Sequence, residues 1–154
     1  MKYKISHPTK NVNCDINLPA SKSISNRLLI IQALSKKKFK ISNLSSCDDT
    51  KNLSKAIKLS QNTIDAGHGG STFRFLTALL CLQHNKESVL TGSSRIKKRP
   101  IRVLVEALRE LGAKIEYLEK EGFPPLRILG TKLNGGYVKI NGEISSQFIS
   151  ALLM

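Results

Sequence analysis

Three segments of this chain share one pattern, in which small polar residues and glycines stand directly before a row of apolar residues. The segments are Ser21–Arg27, Gly67–Arg74 and Ser145–Phe148. The first turn of a helix leaves backbone N–H groups unpaired and carries partial positive charge, and small residues there let an anion approach. Three such starts in 154 residues predict a repeated α/β unit that points helix N-termini at a shared anionic ligand.

The charge balance also favours an anionic partner. The chain carries 25 Lys and Arg against 11 Asp and Glu, a formal net charge of +14. Such an excess suits nucleic acid, an acidic membrane surface, or phosphorylated and carboxylated metabolites, and charge alone does not choose among them.

No apolar stretch reaches the roughly 20 residues of a membrane-spanning helix, and the first residues lack the apolar segment of a signal peptide.

The cysteines and histidines are too scattered to indicate a metal or redox centre. The cysteines, without CxxC spacing, are Cys14, Cys47 and Cys81. The histidines are His7, His68 and His84. We therefore expect free thiols in a reducing cytoplasm, no metal site and no cofactor.

Periodicity along the chain predicts alternating strands and helices. The predicted strands are Lys2–His7, Asn13–Leu18, Lys38–Leu44, Thr63–Ala66, Glu87–Thr91, Lys114–Leu118, Leu126–Leu129 and Tyr137–Ile140. The predicted helices are Ser21–Leu34, Asp48 or Asp49 to about Leu59, Ser71–Leu82, Pro100–Leu111 and a last helix from Ser145. The resulting order predicts an α/β fold built from repeated units.

Local signals refine this assignment. Pro100 suits the first helical position, and Gly112 suits the position just after a helix end. The basic segment Ser93–Arg99 is predicted to be a loop. The last helix is still apolar at Met154, without a glycine, polar cap or basic last turn, so we expect the sequence to be part of a longer protein.

Five motifs, in a fixed order over nearly the whole chain, carry a resemblance to a known family. They are Leu18–Arg27, Leu90–Pro100, Gly112–Ile115, Pro124–Arg127 and Ser145–Phe148. They resemble 5-enolpyruvylshikimate-3-phosphate synthase (3-phosphoshikimate 1-carboxyvinyltransferase). The resemblance implies the enolpyruvyl transferase fold, an inside-out α/β barrel of two domains, each with three βαβαββ-like units. It assigns residues 1–20 to strands of the other domain, and residues 21–154 to about two of three units of the shikimate-phosphate-binding domain, which is truncated.

The implied activity transfers the enolpyruvyl group of phosphoenolpyruvate to the 5-hydroxyl of shikimate 3-phosphate, in chorismate and aromatic amino-acid biosynthesis. The enol carbon is protonated, the hydroxyl attacks the neighbouring carbon, and phosphate leaves. Both substrates are polyanions, so a cationic site that aligns them contributes much of the rate. The resemblance further implies a cytoplasmic enzyme that is monomeric at full length, without nucleic-acid or membrane partners.

The resemblance also assigns site residues. The shikimate 3-phosphate ligands would be Lys22, Ser23, Arg27, Ser145, Ser146 and Gln147. The phosphoenolpyruvate ligands would be Lys22, Gly70, Arg95 and Gln147. Lys22 touches both substrates, Gly70 leaves room that a side chain would fill, and Arg95 offers a planar two-pronged donor for phosphate or carboxylate. The principal acid and base residues are absent from these 154 residues, so we expect this chain alone to be inactive.

Two positions depart from the family pattern. His68 stands where the family has Asn, and Ser71 stands where it has Thr. Ser71 keeps the hydroxyl, whereas His68 leaves its usual contact open. We expect Arg74 to have a structural role inside the domain.

Other interpretations fit parts of the pattern. Ser21 and Ser145 would also serve as plain helix caps, and Gly69 and Gly70 as a tight turn. A nucleic-acid-binding module fits the charge. However, the chain has only five Phe, three Tyr and no Trp, so few aromatic side chains are available to stack on bases. The sister transferase that uses UDP-N-acetylglucosamine has Asn at the position of Ser23 and a loop cysteine that Ser93–Arg99 lacks.

Overall fold

A computed structural model of the chain describes residues 2–4, 6, 8–9, 11, 13–37, 39–58 and 61–154. These residues form both helices and strands. In chain order they are α1 (Lys22–Leu34), α2 (Asp48–Lys58), β1 (Thr63–Asp65), α3 (Gly70–Cys81), β2 (Glu87–Thr91), α4 (Ser94–Lys97), α5 (Arg102–Glu110), β3 (Lys114–Tyr117), β4 (Leu126–Leu129) and α6 (Ser146–Leu153).

The four strands form one mixed sheet in the order β1-β2-β4-β3. β1 and β2 are parallel, and α3 connects them, while β4 runs antiparallel to both β2 and β3. The sequence from β1 through α3, β2, α5, β3 and β4 is therefore a complete βαβαββ unit. This confirms the predicted α/β class and its second repeat.

α3 is the central helix because it is apolar on almost every side, the pattern of a helix buried all round. Ten of its twelve residues are buried. It contacts α1, α2, α5 and α6 and also packs on β2 and β4. Its Phe75 and Leu76 share a core with Leu90 and Ile128 of the sheet and with Leu104 of α5.

Local capping explains most element ends. The Ser21 side chain accepts a hydrogen bond from Ile24 N at the start of α1, and Ser145 accepts one from Gln147 N at the start of α6. Gly112 follows α5 with φ +98°, a left-handed conformation that glycine adopts without strain. These boundaries agree with the sequence prediction.

Two local predictions are wrong. The basic segment is not all loop, because Ser93 caps the short helix α4 and Ile96 within it is buried in the core. Pro100 is not the first residue of α5. The N–H of buried Ile101 donates to the carbonyl of Gly122, which holds Ile101 outside the helix, so α5 begins at Arg102.

Several predicted strands are not strands in the structure. The segments 13–18 and 137–140 are described and irregular, as are residues 39–44, whereas Lys38 lies outside the described residues. Residues 2–4 and 6 are also irregular, and residues 5 and 7 lie outside the described part. A strand needs a neighbour that accepts its backbone hydrogen bonds, and alternation in sequence does not supply one. Ile16, Leu18 and Tyr137 are accordingly 74%, 85% and 89% exposed.

Candidate functional site

Helices α1, α2, α3 and α6 come together in one part of the molecule. Arg27 Nη2 of α1 donates to Ser150 Oγ of α6 at 2.8 Å. The hydroxyl of Thr72 in α3 donates to the Asp49 carbonyl in the first turn of α2 at 3.0 Å. The first turns of α2 and α3 thus lie side by side; each carries partial positive charge, which in α2 is offset by Asp48 and Asp49.

The α1 start presents two of the predicted ligands to solvent. Lys22 Nζ lies 3.0 Å from Asp49 Oδ2, and the Lys22 side chain is half exposed. A pair this exposed stabilises a protein by about 0–1 kcal/mol, so an anion can compete for Lys22 at small cost. Ser23 is exposed, and its carbonyl accepts a hydrogen bond from Arg27 Nη1 at 3.1 Å.

Arg27 is held more firmly than Lys22. Its guanidinium donates to α6 as described and lies 5.5 Å from the centre of the Phe75 ring. The charge is thus fixed between α1, α3 and α6.

The α6 start carries the second group of predicted ligands. Ser145 is partly buried and caps the helix, while Ser146 is exposed. Gln147 is turned toward α3, where its Oε1 accepts a hydrogen bond from Arg74 Nη1 at 2.7 Å. Buried Phe148 anchors the helix to the core.

Gly70 begins α3 beside two arginines. A methyl group added to Gly70 would lie 2.7 Å from Arg74 Nη1 and closer still to Arg99 Nη1. The preceding Gly69 provides no side-chain cap for this helix. We call Gly70, Arg74, Arg99 and Gln147 the arginine cluster.

Arg74 is the most perturbed cation of the site. It is 6% exposed, its Nε is buried without a hydrogen-bond partner, and its guanidinium lies 4.9 Å from the centre of the Phe148 ring. Burial, and then the charge of Arg99, lower the pKa of Arg74 to about 10. Arg74 therefore remains charged at neutral pH in surroundings that disfavour the charge.

Neither arginine of the cluster forms an ion pair with Asp or Glu among the described residues. A cavity of about 10 Å³, room for roughly one water molecule, lies beside them and is walled by apolar Phe73, Ile96 and Ile101. Electrostatic attraction is stronger next to such low-dielectric walls than in open water. The two guanidiniums therefore favour an anion near the start of α3.

The structure does not bring every predicted residue into this cluster. Arg95 and Arg99 are both exposed, but only Arg99, which was not predicted, has its guanidinium against Gly70. Arg99 N–H donates to the Ile96 carbonyl, so the chain turns immediately after α4 and leads into the buried Ile101. Its position directly before Pro100 and this apolar anchor is the sequence signal that distinguishes Arg99 from Arg95.

Arg74 and His68 also lie near the start of α3. Arg74 was assigned a structural role, but its guanidinium is part of the cluster. His68 is exposed in the turn before α3.

Among the described residues, no three or more His, Cys, Asp or Glu are grouped so that they could hold a metal ion. None of the described helices has the length and apolar character of a membrane span.

Comparison with known proteins identifies the family. The family model for EPSP synthase (3-phosphoshikimate 1-carboxyvinyltransferase) matches residues 6–64 and 55–154. The chain belongs to the EPSP synthase family. The predicted family is therefore confirmed.

Curated relatives of the EPSP synthase family match almost the whole chain. A 3-phosphoshikimate 1-carboxyvinyltransferase of Bacteroides fragilis is 52% identical over 154 residues, which are 100% of this chain and 37% of the relative. One of Actinobacillus pleuropneumoniae is 43% identical over 175 residues and matches 96% of this chain and 40% of the relative. The chain thus spans about two fifths of the length of these EPSP synthase relatives.

Solved structures support the fold. EPSP synthase from Acinetobacter baumannii superposes with a TM-score of 0.79 at 23% identity, covering 90% of this chain and 37% of that one. The likeness confirms that the chain has the fold of part of an EPSP synthase.

Proposed function

We propose that this chain is the shikimate 3-phosphate-binding part of an enzyme that transfers the enolpyruvyl group of phosphoenolpyruvate to the 5-hydroxyl of shikimate 3-phosphate. Family membership and the names of the curated relatives support the proposal. The observation that carries it is the arginine cluster. Two guanidiniums lacking an acidic partner among the described residues flank the start of α3, and an anionic substrate would supply the missing negative charge.

The domain arrangement belongs to the same proposal. Residues 21–154 would form about two of three units of one domain, of which the βαβαββ unit from β1 to β4 is complete. Residues 1–20 would pair with the other domain, and the absence of strand structure from their described part is compatible with that role. Free Cys14, Cys47 and Cys81 favour a reducing compartment such as the cytoplasm.

Shikimate 3-phosphate would bind between the starts of α1 and α6. The proposed ligands are Lys22, Ser23, Arg27, Ser145, Ser146 and Gln147. Support comes from the hydrogen bond between Arg27 and Ser150, which joins the two helices that carry these residues. Lys22, once released from its exposed ion pair with Asp49, and exposed Ser23 would reach a phosphate or hydroxyl in solution.

Phosphoenolpyruvate would lie beside the arginine cluster, with Lys22, Gly70 and Gln147 as proposed ligands. Arg99 is a better candidate than Arg95 for the two-pronged contact, because its guanidinium already lies next to the backbone of Gly70. These groups hold and orient an anion. We assign no proton-transfer step to a side chain of these 154 residues.

Calorimetric titration of the chain with shikimate 3-phosphate tests the proposal. We expect binding in the millimolar range, which corresponds to about 4 kcal/mol. Lys22→Ala and Arg27→Ala should remove it, whereas Arg127→Ala, which deletes an equal charge paired with Glu87 and Glu116 on the sheet, should not. Equal affinity in all four proteins would refute the assigned site.

A second titration decides between the two arginines. Phosphoenolpyruvate affinity is expected to be weaker, so it is followed by amide chemical shifts in NMR. Arg99→Ala should abolish the shift changes around Gly70, and Arg95→Ala should leave most of them. The reverse result would restore the contact that the sequence assigned to Arg95.

A further inference from the structure

A buried amide connects the starts of three helices. Asn26 of α1 is fully buried, with 0% of its surface exposed. Its Oδ1 accepts a hydrogen bond from Thr50 Oγ1 of α2 at 2.8 Å. Its Nδ2 donates to Ser71 Oγ of α3 at 3.2 Å.

The amide of Asn26 offers one accepting and one donating end to two hydroxyls, each of which can donate or accept. Thr50 is 2% exposed and Ser71 is 9% exposed, so water does not readily replace either partner. Because an unpaired polar group is costly in such surroundings, one spacing of the three helices satisfies all of them together.

Each member of this network is next to a residue of the candidate site. Lys22 lies one helical turn before Asn26 and thus on the same side of α1. Asp49, the ion-pair partner of Lys22, directly precedes Thr50. Gly70, the centre of the arginine cluster, directly precedes Ser71.

We propose that Asn26 is a positioning residue, whose hydrogen bonds to Thr50 and Ser71 set the separation of Lys22, Asp49 and Gly70 and thereby the affinity of the site for its anionic substrates. Asn26 acts through its neighbours, since a side chain without exposed surface does not meet a ligand. This inference rests on the function proposed above and deepens it by adding a residue that the substrate-ligand assignment does not contain.

Matched removal of one buried hydroxyl provides the test. Thr50→Val deletes the donor to Asn26 while keeping the branched shape, and Thr50→Ser retains the hydroxyl. Thr77→Val is the control, because Thr77 is also fully buried and its hydroxyl donates to the Phe73 carbonyl within α3, outside the network. Asn26→Asp is the second network variant, since it keeps the acceptor and removes the donor to Ser71.

Affinity for shikimate 3-phosphate is measured by calorimetry at a temperature where circular dichroism shows each variant to be folded. We expect Thr50→Val and Asn26→Asp to bind about tenfold more weakly, equivalent to about 1.4 kcal/mol. Thr50→Ser and Thr77→Val should bind as the unchanged chain does. If Asn26→Asp does not fold, the Thr50 and Thr77 variants decide the question alone.

The outcomes distinguish a failure of the proposed function from a failure of the positioning role of Asn26. If the unchanged chain does not bind, the proposed function fails, and the positioning role fails with it. If the unchanged chain binds and Thr50→Val binds equally tightly, only the positioning role is overturned. Equal weakening by Thr50→Val and Thr77→Val also overturns it, because the loss would then reflect destabilisation of any buried site.

Discussion

The two ends of α3 contrast sharply in what surrounds them. At the N-terminal end, Gly70 and Arg74 lie beside Arg99. The buried guanidinium of Arg74 donates a hydrogen bond to a neutral partner, the side chain of Gln147. At the C-terminal end, Cys81 is completely buried, and its Sγ donates to the Thr77 carbonyl. The backbone of Gly130 packs directly against the carbonyls of Leu80 and Gln83 at this end.

The two ends of α3 therefore differ in role, the C-terminal end in folding and the N-terminal end in binding. At the C-terminal end the Cys81 thiol and the backbone N–H groups of Leu82 and Gln83 are paired, and Gly130 packs closely against the backbone, which is how a helix contributes stability. The N-terminal end keeps cations near each other although burial and mutual repulsion oppose them. We infer that changes at the C-terminal end alter stability first, whereas changes at the N-terminal end alter anion affinity first.

Gly130→Ala tests the packed end and should have the largest effect. A methyl group there would collide with the backbone carbonyl of Gln83 and lie 3.0 Å from the Leu80 carbonyl, so the backbone itself must shift. We expect the free energy of unfolding in urea to fall by about 3 kcal/mol, the upper part of the usual range for overpacking. Unchanged stability would show that the end of α3 is loosely packed and would break the comparison.

Arg74→Met tests the cationic end by deleting the buried charge. Hydrogen bonds to charged groups contribute about 1.5–3 kcal/mol, so we expect phosphoenolpyruvate affinity to fall about thirtyfold in an NMR titration. Stability at neutral pH should change less than in Gly130→Ala, because the lost guanidinium has no acidic partner among the described residues. A large loss of stability with unaltered affinity would return Arg74 to a structural role.

The pH dependence of stability sharpens the same contrast. Burial raises the pKa of Cys81 from 9.0 to about 12. Between these values the unfolded thiol has lost its proton and the folded thiol keeps it, so this group destabilises the fold progressively as pH rises above about 9. The expected loss at about pH 10 is about 1.4 kcal/mol relative to pH 8.

Cys81→Ala isolates this contribution in urea unfolding experiments at the two pH values. The variant should be less stable at pH 8, because a small cavity remains, but its stability should fall less on going to pH 10. Arg74 titrates in the same range with the opposite sign, and its effect cancels between the two proteins. Parallel pH profiles would mean that the C-terminal end opens to solvent.

The same contrast explains how far the sequence could predict the structure. The starts of α1 and α6 were predicted correctly because a serine cap depends only on the next few residues. The position of Arg99 against Gly70 was not predicted, because it depends on how the segment after α4 packs against α3 and because Arg95 and Arg99 share one basic segment. The irregular segments 13–18 and 137–140 were missed for a related reason, since alternation does not show whether a partner strand is present.

Gly70→Ala completes the comparison, since the same substitution as in Gly130→Ala is made at the other end of α3. Here the added methyl group meets the ends of two flexible arginine side chains instead of backbone. We expect the free energy of unfolding to change by less than about 0.5 kcal/mol, because displaced side chains relax and alanine favours the helix. Phosphoenolpyruvate affinity should fall about fivefold, or about 1 kcal/mol, because both guanidiniums move away from the start of α3. Equal loss of stability in both alanine variants, with affinity unaltered in Gly70→Ala, would show that the two ends of the helix are packed alike.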